Sequence, residues 1–227
     1  MKSKEKFSVI IRCRNEESWI GHCIQSIIDH FDEPEINVVN NGSTDQSLEI
    51  VNSFKKNKNF KNNKGTNYTE INIFNVNNYT PGKSLNYAIS KSKNDNILII
   101  SAHCVIINFN IKSVLKNLTK YKAIFGKQIP IWHGKRISKR YIWSHFINKK
   151  VENMFSKHED RFFFHNAASI FKKSTLKKIP FDEELRGKED RFWAKKIVQL
   201  KFKYLYDPNF IVNHHYTPNG KTWKGLG

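Results

Sequence analysis

The sequence predicts an α/β protein with a mostly parallel central sheet flanked by helices. Two observations carry this. Short apolar runs alternate with helix-patterned stretches through the first hundred residues, the rhythm of right-handed β-α-β units. Two of those runs, residues 7–11 and 36–39, end in hydrogen-bonding side chains, Arg12-Cys13-Arg14-Asn15-Glu16-Glu17 and Asn40-Asn41-Gly42-Ser43-Thr44-Asp45. Polar groups at the carboxyl ends of parallel strands are where open α/β sheets bind ligands, so the pattern points to a nucleotide-type pocket.

In order, the expected elements are strands over 7–11, 36–39, 71–76 and 97–100, separated by helices over 18–30, 43–55 and 81–91. Pro81 marks the start of the third helix, and Leu85, Ala88 and Ile89 recur in it at helical spacing. Beyond Ile100 the rhythm changes to a helix over 111–120 and a strand over 123–126. A basic, aromatic segment over 132–155 follows. Its Ile142, Trp143, Phe146, Ile147, Val151, Met154 and Phe155 fit one face of a helix, with Lys139, Arg140, Lys149 and Lys150 opposite. Such a face lies in a membrane interface above anionic lipid, or it packs on the sheet and lines a ligand cleft. An amphipathic helix is expected over 191–200. The tail, 217–227, with Gly220, Gly225 and Gly227 among Lys221, Trp223 and Lys224, reads as a flexible lid or a disordered end.

Composition narrows the class. At 227 residues without a Pro/Gly/Ser linker, one domain over 1–227 is expected, in two halves, 1–108 and 109–227. Lys and Arg number 39 against 20 Asp and Glu, a net charge of +19 that favours anionic partners. Part of that excess sits in a Lys/Asn-rich stretch, 55–64, which reads equally as compositional bias. Nucleic acid is not the expected partner, because the charge is scattered and no helix-turn-helix, RNP or zinc motif accompanies it. Cys13, Cys23 and Cys104 form no CxxC pair, as befits reduced thiols in a cytoplasmic protein. The N-terminus lacks the apolar core of a secretion signal. The apolar run 97–109 falls short of the roughly 20 residues that span a bilayer. A cytoplasmic protein, at most peripheral on the inner membrane face, is expected.

Three dense clusters mark the second half: Phe163-Phe164-His165-Asn166-Ala167-Ala168-Ser169, the stretch 180–193 with Glu189-Asp190, and Val212-Asn213-His214-His215-Tyr216. With these in place the chain resembles the family 2 glycosyltransferases, whose GT-A fold joins a Rossmann-like nucleotide-sugar half to an acceptor half. Arg12 to Glu16 resembles the family's first nucleotide loop. Val38 to Asp45 resembles its Val-Val-Asp-Asp-Gly-Ser-Thr-Asp signature, and Gly82-Lys83-Ser84-Leu85-Asn86-Tyr87-Ala88-Ile89 its Gly-x-x-x-Asn-x-(Gly/Ala)-Ile helix. Glu189-Asp190 falls on the acceptor-activating carboxylate and His214 on the late histidine of Val-x-His. Each motif alone is weak; five in order are specific.

Two positions depart from the family. Ser101-Ala102-His103-Cys104 stands where Asp-x-Asp is usual, a variant seen in a subset of the family together with a Gly-x-Gln-x-Pro such as Gly126 to Pro130. Replacing carboxylate by imidazole lowers the site's negative charge and disfavours magnesium. Asn40-Asn41 stands in place of Asp-Asp, which leaves base identity open because an Asn side chain both accepts and donates.

The resemblance implies sugar transfer from a nucleotide-sugar donor to an acceptor hydroxyl, with inversion, in cell-surface glycan or glycolipid synthesis. The alternatives are a catalytically inactive nucleotide-sugar-binding relative or, less favoured, a nucleic-acid binder. Asp190 is the expected base, with Glu189 positioning it or holding the acceptor; read without the family, the two acids simply favour a helix N-terminus. Donor contacts are expected from Arg12, Arg14, Asn15, Glu16, Asn40, Asn41, Gly42, Asp45, Lys83, Asn86, Ser101, Ala102 and His103. Acceptor contacts are expected from Gln128, Trp132, His165, Asn166 and Trp193. His103 and His214, with His215 as a further candidate, would hold a divalent metal, manganese in preference to magnesium. Without a metal, Arg12, Arg14, Lys83 and His103 would offset diphosphate charge. The partners implied are a nucleotide-sugar, a glycan or lipid-linked glycan acceptor and an anionic membrane surface.

Overall fold

In the computed structural model, which describes residues 6–56, 69–139 and 141–223, β1 (Phe7–Cys13) sits in the middle of a parallel set. On one side it pairs with β2 (Glu35–Asn40), which pairs with β3 (Glu70–Asn75); on the other it pairs with β4 (Asn96–Ser101). The helices α1 (Ile20–His30), α2 (Ser47–Lys56) and α3 (Pro81–Lys91) make the crossovers. Alternation along β1 decides which face each side chain serves. Val9, Ile11 and Cys13 meet Ile20, Cys23, Ile24 and Ile27 of α1, whereas Ile10 meets Leu85, Ala88 and Ile89 of α3. β4 is enclosed on both faces, so its Ile97 to Ile100 run is apolar without alternation.

The remaining strands extend the same sheet. β5 (Cys104–Asn108) and α4 (Ile111–Leu118) follow β4. Then come β6 (Ala123–Trp132), the short β7 (Lys135–Arg136), β8 (Val151–Glu152), β9 (Phe155–Ser156) and β10 (Arg161–Phe162). After these the chain forms β11 (Ala168–Lys172), α5 (Lys173–Lys178), α6 (Glu189–Gln199) and β12 (Leu205–His215). The order is β3-β2-β1-β4-β11-β6-β12-β5, with β11 antiparallel to both neighbours and β12 parallel to β6. The expected fold class is the observed one. The late strands β11 and β12 and the edge strand β5, which the sequence pattern leaves unassigned, complete it.

Local chemistry explains the ends. Thr80 caps α3 by accepting from Lys83 N at 3.1 Å, with Pro81 at the first helical position. α2 starts at Ser47 rather than residue 43 because the preceding loop is tied elsewhere: Ser43 N donates to Asn40 Oδ1, Thr44 N to Asn15 Oδ1 and Gln46 N to Glu17 Oε2.

The segment 132–155 is not a helix. Left-handed backbone at His133 and Gly134 turns β6 into β7, and Tyr141 and Asn153 are again left-handed, with φ of 48° and 45°. A 3-10 turn, Tyr141–His145, and two short strands fill the interval. The apolar set is thereby divided: Trp143, Phe146 and Met154 are buried, and Ile147 and Phe155 are exposed. Core packing accounts for the inner members, which removes the continuous greasy face a membrane-lying helix needs. No helix among the described residues is long and apolar enough to cross a membrane. Most of the Lys/Asn-rich stretch, Arg140, residues 1–5 and tail residues 224–227 lie outside the described residues.

Candidate active site

Sheet register brings the singled-out residues to one edge. Cys13 stands opposite Asn40, Arg12 opposite Ser101, and His214 opposite both Cys104 and Pro130. The loops after β1 and β2 are laced together by Asn15, Ser43 and Thr44. Within this lacing Asn40 is committed, accepting from Ser43 N and donating to Asn75 Oδ1 at 2.8 Å. Asp45 is committed as well, accepting from the N–H groups of Glu17 and Ser47. Partial burial raises its pKa, but those hydrogen bonds outweigh burial and hold it below the usual range. Both residues tie the loops after β1 and β2 in place, and the neighbouring Asn41 side chain makes no hydrogen bond to a described residue. Gly42, at φ 64°, supplies the left-handed turn the loop requires.

The helix motif around Gly82 and Asn86 has an unexpected partner. Asn86 donates to Phe181 O at 2.9 Å and to Glu183 Oε1 at 2.8 Å and accepts from Phe181 N. Thr80 donates to Glu183 O at 2.6 Å. A methyl group on Gly82 would lie 2.0 Å from Asp182 O. In this structure the motif docks the loop that leads into α6, which carries the carboxylates, and Lys83, on the first turn of α3, has no side-chain partner among the described residues.

At the start of α6, Glu189 and Asp190 differ. Glu189 is buried, and its Oε1 accepts from Arg12 Nη1 at 2.8 Å. Burial, the largest single influence, disfavours the guanidinium charge, but Glu189 together with Tyr79 and Asp190 outweighs it and raises the Arg12 pKa. Asp190 makes no ion pair among the described residues. It accepts from the backbone N–H of Asn166 at 3.2 Å and of Arg191 at 2.8 Å. Burial raises its pKa against those hydrogen bonds and the nearby Arg12 and Arg191 charges. One carboxylate is neutralised and the other is biased toward holding a proton.

A chain of side chains, four of them singled out as site residues besides His214, runs behind this pair. His103 Nδ1 meets Glu16 Oε1 at 3.0 Å, and His103 Nε2 meets His214 Nε2 at 3.0 Å. His214 Nδ1 meets Gln128 Oε1 at 2.8 Å, and Gln128 Nε2 meets His165 Nδ1 at 3.0 Å. Ala167 N also donates to His165 Nδ1, so that nitrogen is an acceptor. Gln128 therefore donates to His165 through Nε2 and accepts the Nδ1–H of His214 through Oε1, which turns the His214 Nε2 lone pair toward His103. Burial holds His214 neutral, well below the usual histidine range, and pushes His165 down to about 3, with Arg191 adding to the effect. The 3.0 Å separation of the facing Nε2 atoms fits one shared proton.

Those two imidazoles, each steadied at Nδ1 by an oxygen acceptor, fit a divalent transition ion better than magnesium, and Glu16 Oε2 is buried without a partner beside them. His215 is not aimed there. It stacks on Trp19 at 3.8 Å, and burial lowers its pKa to about 4. Among the described residues no group of three His, Cys, Asp or Glu side chains converges as a complete metal site.

Of the acceptor-side residues, Gln128 and His165 belong to the chain above. Asn166 is buried next to Asp190, its Nδ2 without a partner. Trp132 is 42% exposed at the end of β6. Trp193 does not line the cleft: it is buried under α6 and donates from Nε1 to Ile179 O at 2.8 Å. Ser101 and Ala102 lie at the tip of β4, where Ser101 N donates to Ala167 O. Arg14 is exposed. The tail, read from sequence as a lid or a disordered end, forms a strap through residue 223, and its anchors are not visible in the sequence. Trp19 Nε1 donates to Tyr216 O at 3.0 Å, Asn219 Nδ2 to Asn15 O at 3.0 Å and Lys221 Nζ to Arg186 O at 2.8 Å. Trp223 is buried against Trp143 and Tyr216. Residues 216–223 thus cross from the β1 loop to the loop before α6.

This geometry sits in a recognisable lineage. The model of the family described as "Glycosyl transferase family 2" matches residues 8–180, and the chain belongs to that family. It is 29% identical over 226 residues to the poly(ribitol-phosphate) beta-glucosyltransferase of Bacillus spizizenii, covering 88% of this chain and 32% of that protein. It is 24% identical over 205 residues to the Staphylococcus aureus poly(ribitol-phosphate) beta-N-acetylglucosaminyltransferase TarS, covering 84% and 32%. The chain thus spans about a third of the length of these curated relatives. In structure it is similar to a fragment of S. aureus TarS in complex with UDP-GlcNAc, with a TM-score of 0.70 at 20% identity, over 97% of this chain and 61% of that one. A mannosyltransferase from Pyrobaculum calidifontis, in complex with GDP-Man and Mn2+, gives 0.66 at 15% over 96% and 59%. The shared architecture is the GT-A fold.

Proposed function

We propose that this chain transfers a sugar from a nucleotide-sugar to an acceptor hydroxyl, with inversion, in the synthesis of a cell-surface glycan. The observation that carries the reading is the differentiation of the two adjacent carboxylates: Glu189 is paired with Arg12, while Asp190 forms no ion pair among the described residues and burial raises its pKa. In the proposed reaction Asp190 takes the proton of the acceptor hydroxyl as its oxygen attacks the anomeric carbon. The bond from that carbon to the diphosphate oxygen breaks on the opposite face, and its electron pair leaves with the nucleoside diphosphate. Positioned general-base help of this kind contributes about 10²–10⁴-fold. Strands β1 to β4 supply the donor side, with Asn41 free for the base and Lys83 and Arg14 for diphosphate charge. The chain after residue 109 supplies the acceptor side. A divalent ion held by His103 and His214 would add charge compensation at the leaving diphosphate. The poly(ribitol-phosphate) named for two relatives supports the glycan-synthesis setting.

The test is a thermal-shift screen against UDP-, GDP-, CMP- and dTDP-sugars with and without manganese, followed by transfer assays. One nucleotide class is expected to raise the melting temperature. Asp190→Asn should keep that shift and lower transfer at least about 10²-fold, and His103→Ala should abolish any manganese dependence. No shift with any donor in folded protein overturns the reading.

A further inference from the structure

Two buried indole groups next to His214 have donors that nothing in the fold meets. Of the five tryptophans, Trp132 is exposed, and Trp19 and Trp193 donate from Nε1 to the carbonyls of Tyr216 and Ile179. Trp143 and Trp223 are 0% and 3% exposed, and the Nε1 of each is buried without a partner among the described residues. The two come from distant parts of the chain. Trp143 lies in the 3-10 turn Tyr141–His145, and Trp223 closes a second such turn, Lys221–Trp223, at the end of the strap. Their ring centroids are 5.1 Å apart, and both rings meet His214 in edge contacts, with centroids at 5.0 and 5.9 Å. Protein interiors satisfy the great majority of their buried polar groups, so two unmet N–H groups in one contact mark a place that a further group completes. An indole nitrogen only donates, and whatever completes the pair therefore brings acceptor oxygens.

We infer that Trp143 and Trp223 donate these N–H groups to the second phosphate of the nucleoside diphosphate, the one that bears the sugar, and that the strap is the element that presents Trp223 to it. The inference rests on the proposed transfer from a nucleotide-sugar. Position narrows the class of oxygen. His214, which both rings touch, faces His103 just beyond Ser101, and Ser101 stands opposite Arg12, the partner of Glu189. The indole pair thus stands between the donor loops and the proposed base. The strap that carries Trp223 is itself bonded on both sides of that interval, through Asn219 to Asn15 O and through Lys221 to Arg186 O. Chemistry narrows it further, because hydrogen bonds from N–H to an ionised oxygen are roughly twice as strong as neutral ones. When the bond from the anomeric carbon to the diphosphate breaks, its electron pair stays on the diphosphate oxygen. The indoles keep their protons and stabilise the negative charge that gathers there.

The experiment titrates UDP, GDP, CDP and dTDP, and the matching monophosphates, into wild type, Trp223→Phe and Trp143→Phe with manganese present throughout. Phenylalanine keeps an aromatic ring and removes the N–H. Each variant should weaken binding of the preferred diphosphate roughly ten- to a hundredfold, the size of a lost hydrogen bond to a charged group, and keep monophosphate affinity within about twofold. A second measurement needs no substitution in the protein observed: in nitrogen-labelled wild type, the indole N–H signals of Trp143 and Trp223 should move downfield with the diphosphate and hold their place with the monophosphate, while that of Trp193 stays put with both. An unchanged diphosphate-over-monophosphate preference in both variants, or indole signals unmoved by the diphosphate, overturns the inference and leaves buried water as what meets the two groups. Wild type that binds only a monophosphate overturns it too. Wild type that binds no nucleotide at all overturns the transferase reading along with it, so the two failures are told apart in the same titrations.

Discussion

Replacing Arg12 by methionine probes the tie between the two ends of the site. Arg12 and Glu189 lie 177 residues apart and meet at 2.8 Å, with side-chain exposures of 22% and 6%. Removing the guanidinium strands a carboxylate that has little access to water, a change that typically costs about 3–5 kcal/mol when one partner of a buried pair is lost. Because Arg12 is itself partly hydrated, the low end, about 3 kcal/mol, is expected. With a urea m-value of about 2–3 kcal/mol/M, the unfolding midpoint should fall by roughly 1 M. The double variant Arg12→Met/Glu189→Met should recover most of the loss, since it removes the orphaned charge along with its partner. Urea titrations of the four proteins give the coupling, which should be about 2 kcal/mol. A single-variant cost under about 1 kcal/mol, or additivity within about 0.5 kcal/mol, would show that the pair is solvated and refute the argument.

Three further outcomes follow from the geometry. Gly82→Ala places a methyl 2.0 Å from Asp182 O and should push the 181–183 loop off Asn86; a loss of about 2–4 kcal/mol in denaturant unfolding is expected from overpacking plus the weakened hydrogen bonds. Gly21→Ala, whose methyl meets the side chains of Ile50 at 3.3 Å and Phe54 at 3.7 Å and no backbone, should stay within about 1 kcal/mol of wild type. Asp190→Asn should raise the melting temperature at neutral pH, because the folded state holds this carboxyl above its unfolded pKa and so disfavours its charge. That gain should shrink as pH falls through the raised folded value and vanish below the ordinary aspartate pKa of about 3.9, where both states are protonated. A variant less stable than wild type at pH 7 would contradict the assignment.

The parallel half of the fold is legible because its signals are local. The β1 run, the cap and proline before α3, and the enclosed Ile97 to Ile100 run each state their structure within a dozen residues. β11 and β12 are not legible in this way. β12 contains Pro208, and its pairing with β6 shifts register between Asp207 and Ile211, so its meaning lies in strands eighty residues earlier. The misread segment after Trp132 has helical apolar spacing in places. Left-handed residues at 133, 141 and 153 break it, and nothing in a spacing rule registers them. His103 and His214 were found through family resemblance, but the parts of Glu16, Gln128 and His165 as their supports emerge only once register sets them side by side. Arg12 looked like a diphosphate contact for the same reason. Its partner is invisible until α6 is folded against β1.

The position of β11 between β4 and β6 has a consequence for synthesis. β1 to β4 leave the ribosome first, yet the open edge of β4 gains its permanent neighbour only after residues 168–172 emerge. Until then that edge presents unpaired backbone groups to other nascent chains. The loop after β1 meanwhile carries Arg12 without Glu189, and His103 lacks His214 until β12 is made. A chain halted between β4 and β11 therefore holds Arg12 and His103 without these partners, and the β4 edge is protected only once β11 pairs with it.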